Sequence, residues 1–501
     1  MDKKLHGVFL RDKPPHTYTA NAGDLLISNG VKELFDIKYD ISVYWKNRSF
    51  YIEDDFPDRV DMLVYAGMPQ FGARNRLSDQ EKIWRSLLEQ FARETPAFNV
   101  GGGTGYSIRG NRLVIASDMV RYRTNRDFYT SQQNVLFLPR DPLSWHFLDM
   151  LGLDPTLLLC PSGYNPPVQA EPAYEIAINV MPPDHEVFAD DLADRREDYV
   201  DLVRSVVSRY PDALFICHEE TDILFIRSLG GAHVVIPGSA PELVEAYSKA
   251  RKVVSFRVHG TVAALLCRSQ VLHFSIDGRS DLLTPYMAGG LWKYDLLRHD
   301  RAYHTSLLET FLGEDTVVDV APIVTGQRDM ALDRIEARFG KNPANSSDAP
   351  VRTLIVDPDK VGTLARDDEI ILTHRRFHHR GEDYGDHSLI FAIAKTEGHA
   401  VYGPYITVPE GRYRLIFDCE FLGRFDGNLP VDLVYDVVDD ASAFRESTRV
   451  PLRDALIQKR IAMLEFTTDR ANASLEFRIY IDGHMPDLEM QFYGVRLRKL
   501  D

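Results

Sequence analysis

The first 300 residues alternate short apolar runs with amphipathic stretches of helical period, and this alternation constrains the fold more than any other feature. Continuous apolar runs are typical of parallel strands that helices cover on both faces, and strands that alternate with helices form βαβ units. The predicted strands are Leu5–Leu10, Val60–Tyr65, Asn134–Leu138, Leu157–Cys160, Glu175–Val180, Ala213–Cys217, Ala232–Ile236, Lys252–Phe256 and Val271–Ile276. The predicted helices are Asp24–Phe35, Gln80–Glu94, Leu143–Leu151, Arg196–Tyr210, Pro241–Ala250 and Asp281–Ala288.

The alternation is long enough for two sheets. A chain of 501 residues also exceeds the roughly 250–300 residues at which a single hydrophobic core stops growing. A proline-rich stretch at Gly163–Pro172 and a polar stretch at Arg338–Val351 mark two breaks. We therefore predict two Rossmann-like α/β domains, residues 1–165 and 166–337, which face one another across a cleft, and then a linker at 338–351.

Residues 352–501 have a different sequence pattern, in which β-type runs are separated by turn residues. The runs are Ala400–Val408, Tyr413–Cys419, Val431–Val437, Ile461–Thr467 and Leu475–Ile481. Polar and apolar residues alternate in the second and the last run, as in half-exposed antiparallel strands. The pattern predicts a β-sandwich of jelly-roll type, in which a tight turn at Pro409–Gly411 joins one pair of strands.

Composition excludes several classes of protein. The formal net charge of −16 argues against a nucleic-acid binder, which would carry a basic stripe. No apolar run approaches the roughly 18–20 residues of a membrane helix, and no apolar signal core follows the N-terminus. The four cysteines are scattered without a CxxC pair, which favours a reducing compartment. We expect a soluble cytoplasmic protein without a transmembrane segment, a metal site or a nucleic-acid partner.

Ligands of doubly wound sheets bind at the carboxyl ends of the strands, so residues at those ends are the first candidates for a site. Near the N-terminus, Asn21 and Asp24 flank a glycine turn ahead of a predicted helix. Asn21 suits the helix cap and Asp24 the first turn. An alternative is that Asp24 binds a substrate hydroxyl in the cleft.

A second candidate is the segment Leu138–Ser144, where a predicted strand runs into Arg140 and Asp141 and a helix follows. An arginine at a strand end beside a helix N-terminus is well placed to bind an anion. The alternative is an Arg140–Asp141 pair that only solvates the turn.

The strongest site signal is Ser255–Thr261, where a predicted strand ends in Arg-Val-His-Gly. Residues two apart on an extended segment point to the same side, so we expect Arg257 and His259 to face the cleft together. Gly260 would allow a close backbone approach and leave the next helix's amides free for an anion. This arrangement suits a carboxylate or a phosphate. The alternative, a buried histidine with local partners, would also require a hidden arginine.

Weaker candidates are the acidic segment His218–Asp222 and the segment Asp277–Arg279, each directly after a predicted strand. His218 and Glu219 lack the second histidine of a zincin motif. The glycines of Gly101–Gly105 match neither GxGxxG nor a Walker loop, so the sequence gives little support for NAD or ATP.

In their order and spacing, these segments resemble the polysaccharide pyruvyl transferase family from about Asn21 to Asp281. The matching segments read NAGD at 21–24, GGGTG at 101–105, RDPLS at 140–144, HEETD at 218–222 and SFRVHG at 255–260. The most specific element is Arg257–Gly260, which is similar to the family's R-L-H signature. Val258 replaces the usual leucine, and Arg279 stands where many members carry lysine. Residues 352–501 lie outside the resemblance.

The resemblance implies a GT-B-like fold and transfer of pyruvate from phosphoenolpyruvate onto two sugar hydroxyls, with a cyclic ketal and phosphate as products. The acceptor would be a sugar, an oligosaccharide or a lipid-linked glycan, and no cofactor is implied. We expect His259, or a nearby acid, to protonate the enol carbon or the leaving phosphate, with Asp24 or Asp222 as the base for the sugar hydroxyl. The predicted substrate-binding residues are Arg257, Arg140, Gly260, Asn21, Ser144 and Arg279.

Two other functions remain open from the sequence. A GT-B glycosyltransferase that uses a nucleotide sugar would share the two facing domains. A non-catalytic glycan-binding protein would depend on the C-terminal domain, where Tyr402 and Tyr405 either contact a glycan or are core and turn residues. We expect that domain to be an accessory one, for acceptor binding or assembly.

Overall fold

The structure is a computed structural model that describes most of the chain. The described residues are 4–11, 21–47, 59–72, 78–91, 95–132, 134–185, 193–339, 354–355, 366–384, 388–393, 398–439, 444–457, 461–470 and 473–501. In these ranges no helix is both long enough and apolar enough to cross a membrane.

The first α/β domain is built on a five-stranded parallel sheet in the order β2-β1-β3-β4-β5. Its strands are β1 Leu5–Arg11, β2 Ile41–Asn47, β3 Met62–Phe71, β4 Ala97–Thr104 and β5 Val135–Leu138. Its helices are α1 Ala22–Asp36, α2 Asp79–Phe91, α3 Arg112–Arg121, α4 Arg123–Thr130 and α5 Pro142–Met150. Every residue of β4 is buried, as expected for a central strand covered on both faces.

The prediction of a strand at Leu157–Cys160 is wrong. The segment is apolar because it is largely buried, but it runs beside the end of β5, where Leu158 N donates to Pro139 O at 2.9 Å. The chain then turns into a 3-10 helix, Pro161–Tyr164, which packs against α1 and α9. Burial against other elements produced the apolar signal that we read as a strand.

The second α/β domain contains six parallel strands in the order β8-β7-β6-β9-β10-β11. They are β6 Tyr174–Asn179, β7 Leu214–Ile216, β8 His233–Val235, β9 Ala250–Ser255, β10 Gln270–Ser275 and β11 Trp292–Asp295. The helices are α6 Arg196–Arg209, α7 Glu220–Ser228, α8 Ala240–Ser248, α9 Val258–Leu266, α10 Thr284–Met287, α11 Arg301–Gly313 and α12 Ala321–Phe339. A 3-10 helix, Gly278–Leu283, precedes α10.

The last helix of the second α/β domain, α12, contacts the first α/β domain. Phe339, at the end of α12, packs its ring against Tyr39 at 5.0 Å and against Phe98 of β4 at 5.2 Å. Most of the predicted linker, residues 340–351, lies outside the described residues.

The remaining strands pair antiparallel, as the period of two predicted, except for β12 and β13, which pair in parallel. They are β12 Leu354–Ile355, β13 Glu369–Thr373, β14 His378–His379, β15 Glu382–Tyr384, β16 Ser388–Ala392, β17 Gly398–Val408, β18 Gly411–Gly423, β19 Asp432–Asp439, β20 Phe444–Pro451, β21 Ile461–Thr468, β22 Ala473–Asp482 and β23 Leu488–Lys499, with helix α13 at Leu452–Ile457. The order is β14-β17-β22-β19-β20 in one sheet, whereas β18 and β23 are central in the other. Along β22 buried and partly exposed residues alternate strictly.

One detail of the C-terminal prediction is wrong. The strands on either side of Pro409–Gly411, β17 and β18, do not pair with each other: β17 pairs with β14 and β22, and β18 with β21 and β23. The chain crosses between sheets at this turn, and the two sheets pack through inner-face rings such as Phe417 and Tyr435, 5.1 Å apart. A single antiparallel pair, Lys293 with Gly423, joins β11 to β18 and makes the second α/β sheet continuous with a C-terminal one.

Candidate functional site

The N-terminus of α1 lies where the two α/β domains meet. Asn21 caps the helix by accepting from Gly23 N at 2.9 Å, and its Nδ2 donates to Glu219 Oε1 at 2.6 Å. Ala22 N donates to the carbonyl of His218, 3.2 Å away. Asn21 therefore ties the two domains together besides capping the helix. Asp24 lies in the first turn of α1 and is partly exposed.

Arg257 lies at the end of β9, at the N-cap of α9, and is 6% exposed. Its Nε donates to Val180 O at 2.9 Å, its Nη1 to Glu219 Oε1 at 3.3 Å, and its Nη2 to Asp222 Oδ1. Arg257 is therefore hidden and paired, as the alternative requires of the arginine. Its predicted contact with substrate stays a prediction. Asp222 is fully buried, accepts from His218 N at 2.8 Å, and has a pKa raised mainly by burial. Its predicted role as a base stays a prediction.

His259 lies in the first turn of α9 and packs against the turn at the start of α1. A Cβ on Gly23 would be 2.7 Å from His259 Nδ1, so only glycine leaves room for this ring. His259 Nε2 is buried and has no hydrogen-bond partner among the described residues. The pKa of His259 lies well below its usual value, first because of burial and then because of Arg140, Arg279, His218 and Arg257. The imidazole is therefore neutral at pH 7.

Arg140 follows β5 and is 1% exposed. Its Nη1 contacts Cys160 Sγ at 3.7 Å, whereas its Nε has no hydrogen-bond partner within the described ranges. Among the ion pairs of that part of the chain, none includes Arg140. A Cβ on Gly103 would be 2.5 Å from Arg140 Nε, so the glycine run of β4 makes space for the guanidinium. Asp141, also buried, interacts electrostatically with Arg140, but its carboxylate accepts hydrogen bonds from Thr104 N and Ser144 N. The predicted anion site at Arg140 stays a prediction.

Ser144 and Gly260 have structural partners that the sequence did not indicate. Ser144 is fully buried and shares a 2.6 Å hydrogen bond with the hydroxyl of Thr104, so it connects α5 to β4. A Cβ on Gly260 would clash with Tyr247 Oη and Asn179 Nδ2. The groups that approach the Gly260 backbone closely in this structure are therefore these two side chains. Their predicted contacts with substrate remain predictions.

The sequence analysis missed a buried polar network behind α9. Tyr247 Oη accepts from Asn179 Nδ2 at 2.6 Å and shares a 2.9 Å hydrogen bond with His218 Nε2. Asn179 Oδ1 also accepts from the amides of Phe256 and Arg257 at 2.9 and 3.0 Å. Asn179 ends β6, so the strand-end rule could have indicated it, whereas Tyr247 lies on α8 and gave no such signal.

Arg279 completes the group of cations around His259. Its Nε and Nη2 donate to Asp277 at 3.0 and 2.7 Å, and the side chain is 25% exposed. We call Arg140, His259 and Arg279 the basic cluster; it combines residues of both α/β domains. A cavity of about 420 Å³ lies elsewhere, at the C-terminal ends of α1 and α9. Within the described residues no group of three or more potential metal ligands occurs.

Comparison with known proteins identifies a family that matches this chain. The family model for polysaccharide pyruvyl transferase matches residues 21–278, which is more than half of the chain. No curated protein matches significantly.

Three similar solved structures share little sequence with this chain. A Methanocaldococcus jannaschii UDP-GlcNAc 2-epimerase is 9% identical, with 67% of this chain and 99% of that chain covered and a TM-score of 0.39. S. aureus MnaA is 11% identical, with 67% and 98% covered and a TM-score of 0.37. An uncharacterized protein from Klebsiella pneumoniae is 12% identical, with 54% and 83% covered and a TM-score of 0.30. These similarities are too weak to indicate a function.

Proposed function

The chain belongs to the polysaccharide pyruvyl transferase family, and we propose that it transfers pyruvate from phosphoenolpyruvate onto two hydroxyls of a sugar. The products are a cyclic ketal and inorganic phosphate. The acceptor is a sugar, an oligosaccharide or a lipid-linked glycan of a surface polysaccharide. It binds in the cleft of a GT-B-like pair of domains, next to the N-termini of α1 and α9.

The observation that carries this proposal is the buried Arg140 guanidinium, which has no ion-pair partner in the described part of the chain. The neighbouring Asp141 carboxylate is bonded to the amides of Thr104 and Ser144 and makes no direct ion pair with this guanidinium. A buried cation without a direct ion pair is costly. Phosphoenolpyruvate carries two anionic groups, a carboxylate and a phosphate, and either one can pair with the Arg140 guanidinium. Arg140 and Arg279 approach it from different domains, and a planar guanidinium suits either group.

In the proposed reaction, one sugar oxygen bonds to C2 of phosphoenolpyruvate while C3 gains a proton and becomes a methyl group. The bond between C2 and the phosphate oxygen breaks, and the second sugar oxygen completes the ketal. Of the two hydroxyl protons, one balances the new methyl group and the other ends on phosphate. No oxidant, cofactor or metal takes part in this balance.

His259 is the proposed acid for C3 or for the leaving phosphate. Its pKa is low in the free protein, but the two anionic groups of the bound donor favour the imidazolium, which can then give up its proton. For the base we favour Asp24 over Asp222. Asp24 is partly exposed beside Gly23, against which the His259 ring packs, whereas Asp222 is buried and engaged by Arg257. In this proposal Arg257 holds the loop that carries His259 and is not a direct ligand of the donor.

The four cysteines are free thiols, three of them buried, which is in keeping with a reducing compartment. We therefore propose that the reaction takes place in the cytoplasm, on a precursor of the polysaccharide.

The deciding experiment is calorimetric titration of the full-length protein with phosphoenolpyruvate and, separately, with a panel of nucleotide sugars. We expect phosphoenolpyruvate to bind and the nucleotide sugars not to bind. Binding of a nucleotide sugar without phosphoenolpyruvate would overturn the proposal and favour a glycosyltransferase. Release of inorganic phosphate when acceptor glycan is added would then establish turnover.

A further inference from the structure

Arg112, the first residue of α3, is fully buried and binds groups from three parts of the chain. Its Nε donates to Asp418 at 2.8 and 2.9 Å, and its Nη1 to Asp281 at 2.8 Å and Glu420 at 2.9 Å. Its Nη2 donates to Asp418 and to the carbonyl of Cys419. All five N–H donors of the guanidinium are therefore used. Asp281 belongs to the second α/β domain, and Asp418 and Glu420 belong to β18.

Asp281 lies on the same 3-10 helix as Arg279 of the basic cluster. Its carboxylate also accepts from the Tyr106 hydroxyl, and Gly278 N donates to Tyr106 O at 3.0 Å. A Cβ on Gly278 would clash with the Tyr106 ring. The loop after β4, in the first domain, is thus fastened directly to the segment that carries Arg279.

Strand β18 binds both α/β domains at this point. Glu420 accepts from Arg112 of the first domain, and it also accepts from Lys293 Nζ at 3.1 Å and from the Thr284 hydroxyl of the second. Lys293 is additionally the residue through which β11 pairs with β18. The four residues Arg112, Asp281, Asp418 and Glu420, which we call the interdomain clamp, are each at most 5% exposed.

We propose that Asp418 and Glu420 are positioning residues for the donor site. By holding Arg112 and Lys293 they fix the distance between Arg140 in the first domain and His259 and Arg279 in the second. The β-rich domain is then a part of the transferase site and not a detachable accessory. The identity of the ligand in this proposal rests on the proposed function. The geometry of the interdomain clamp does not.

The test is Glu420→Gln in the full-length protein, with Glu465→Gln as the matched control. Glu465 is also a carboxylate bonded to an arginine at β18, but its pair with Arg414 is exposed and lies far along the strand from Glu420. We expect Glu420→Gln to weaken phosphoenolpyruvate binding about tenfold, a typical coupling between distinct sites, and the control to bind like wild type. In turnover we expect the KM for phosphoenolpyruvate to rise more than kcat falls.

Amide hydrogen exchange separates this proposal from the proposed function. If wild type does not bind phosphoenolpyruvate, faster exchange at residues 277–283 and 104–112 in Glu420→Gln still supports the interdomain clamp, and unchanged exchange overturns it. If Glu420→Gln does not fold, Thr284→Val removes only the hydroxyl between Glu420 and Lys293 and takes its place. A folded variant with wild-type donor affinity and wild-type exchange would overturn the positioning role.

Discussion

The structure predicts that the protein takes up a proton when phosphoenolpyruvate binds. In the free protein, burial and then the surrounding cations hold the pKa of His259 well below its usual value. The donor brings two anionic groups into the same site. A unit charge about 4 Å from the ring, at an effective dielectric constant near 20, favours the imidazolium by about 4 kcal/mol. Because one pKa unit corresponds to about 1.4 kcal/mol, such a charge raises the pKa of His259 above its value in the free protein.

The sign of the pH dependence follows from linkage. The pKa of His259 is higher in the complex than in the free protein, so the complex binds more protons and affinity increases as the pH falls. The increase ends below the pKa of the free protein, where both states are protonated. The assay is calorimetry at pH 7 in buffers of different ionisation enthalpy, where we expect uptake of up to about one proton per site.

The matched comparison is His259→Asn, which keeps a polar side chain but cannot titrate. The phosphate of the donor titrates identically with both proteins, so the difference between them isolates the histidine. Equal proton uptake by wild type and His259→Asn would refute the reasoning.

Three further predictions concern stability and binding. Arg140→Met should abolish phosphoenolpyruvate binding yet leave the melting temperature unchanged or higher, because it removes a buried charge that has no ion pair among the described residues; a large drop in melting temperature would contradict this. Gly260→Ala should lower the free energy of unfolding by about 1–3 kcal/mol in urea titrations, because its Cβ meets Tyr247, whereas Gly105→Ala, with open space around it, should be neutral. Arg257→Ala should destabilise by about 3–5 kcal/mol, since two carboxylates lose their partner; a stable variant with weak donor binding would instead restore Arg257 as a direct ligand.

The sequence predicted the strands whose apolar character comes from sheet burial, such as β1, β6 and β9. It missed β11, which reads Trp-Lys-Tyr-Asp and carries a buried lysine whose partners, Glu420, Thr284 and the carbonyl of Phe421, appear only in the structure. It misread Leu157–Cys160, because burial against other elements produces the same apolar signal as burial in a sheet. The apolar runs therefore identified buried segments correctly. They did not show whether a segment is buried in a sheet or against other elements.

For the site, the strand-end rule selected Arg140, His259 and Arg279, and the two arginines lie near enough to His259 to lower its pKa. Their contacts with substrate stay predictions. The rule could not distinguish an arginine that has no ion pair among the described residues from a paired one. Arg257 and Arg140 look alike in the sequence, but the partners of Arg257 come from residues 35 and 38 positions away. Arg112 gave no signal, because its three carboxylates become neighbours only in the folded chain.

The bonds of Arg112 also impose an order on how the protein is made. Its partners on β18 follow it by 306 and 308 residues. At ribosomal rates of about 5–20 residues per second, that separation corresponds to roughly 15–60 seconds of synthesis. Until then Asp281 is the only one of the three carboxylate partners of Arg112 in the nascent chain, so the start of α3 cannot reach its final buried state. The first domain to emerge is therefore among the last to be completed.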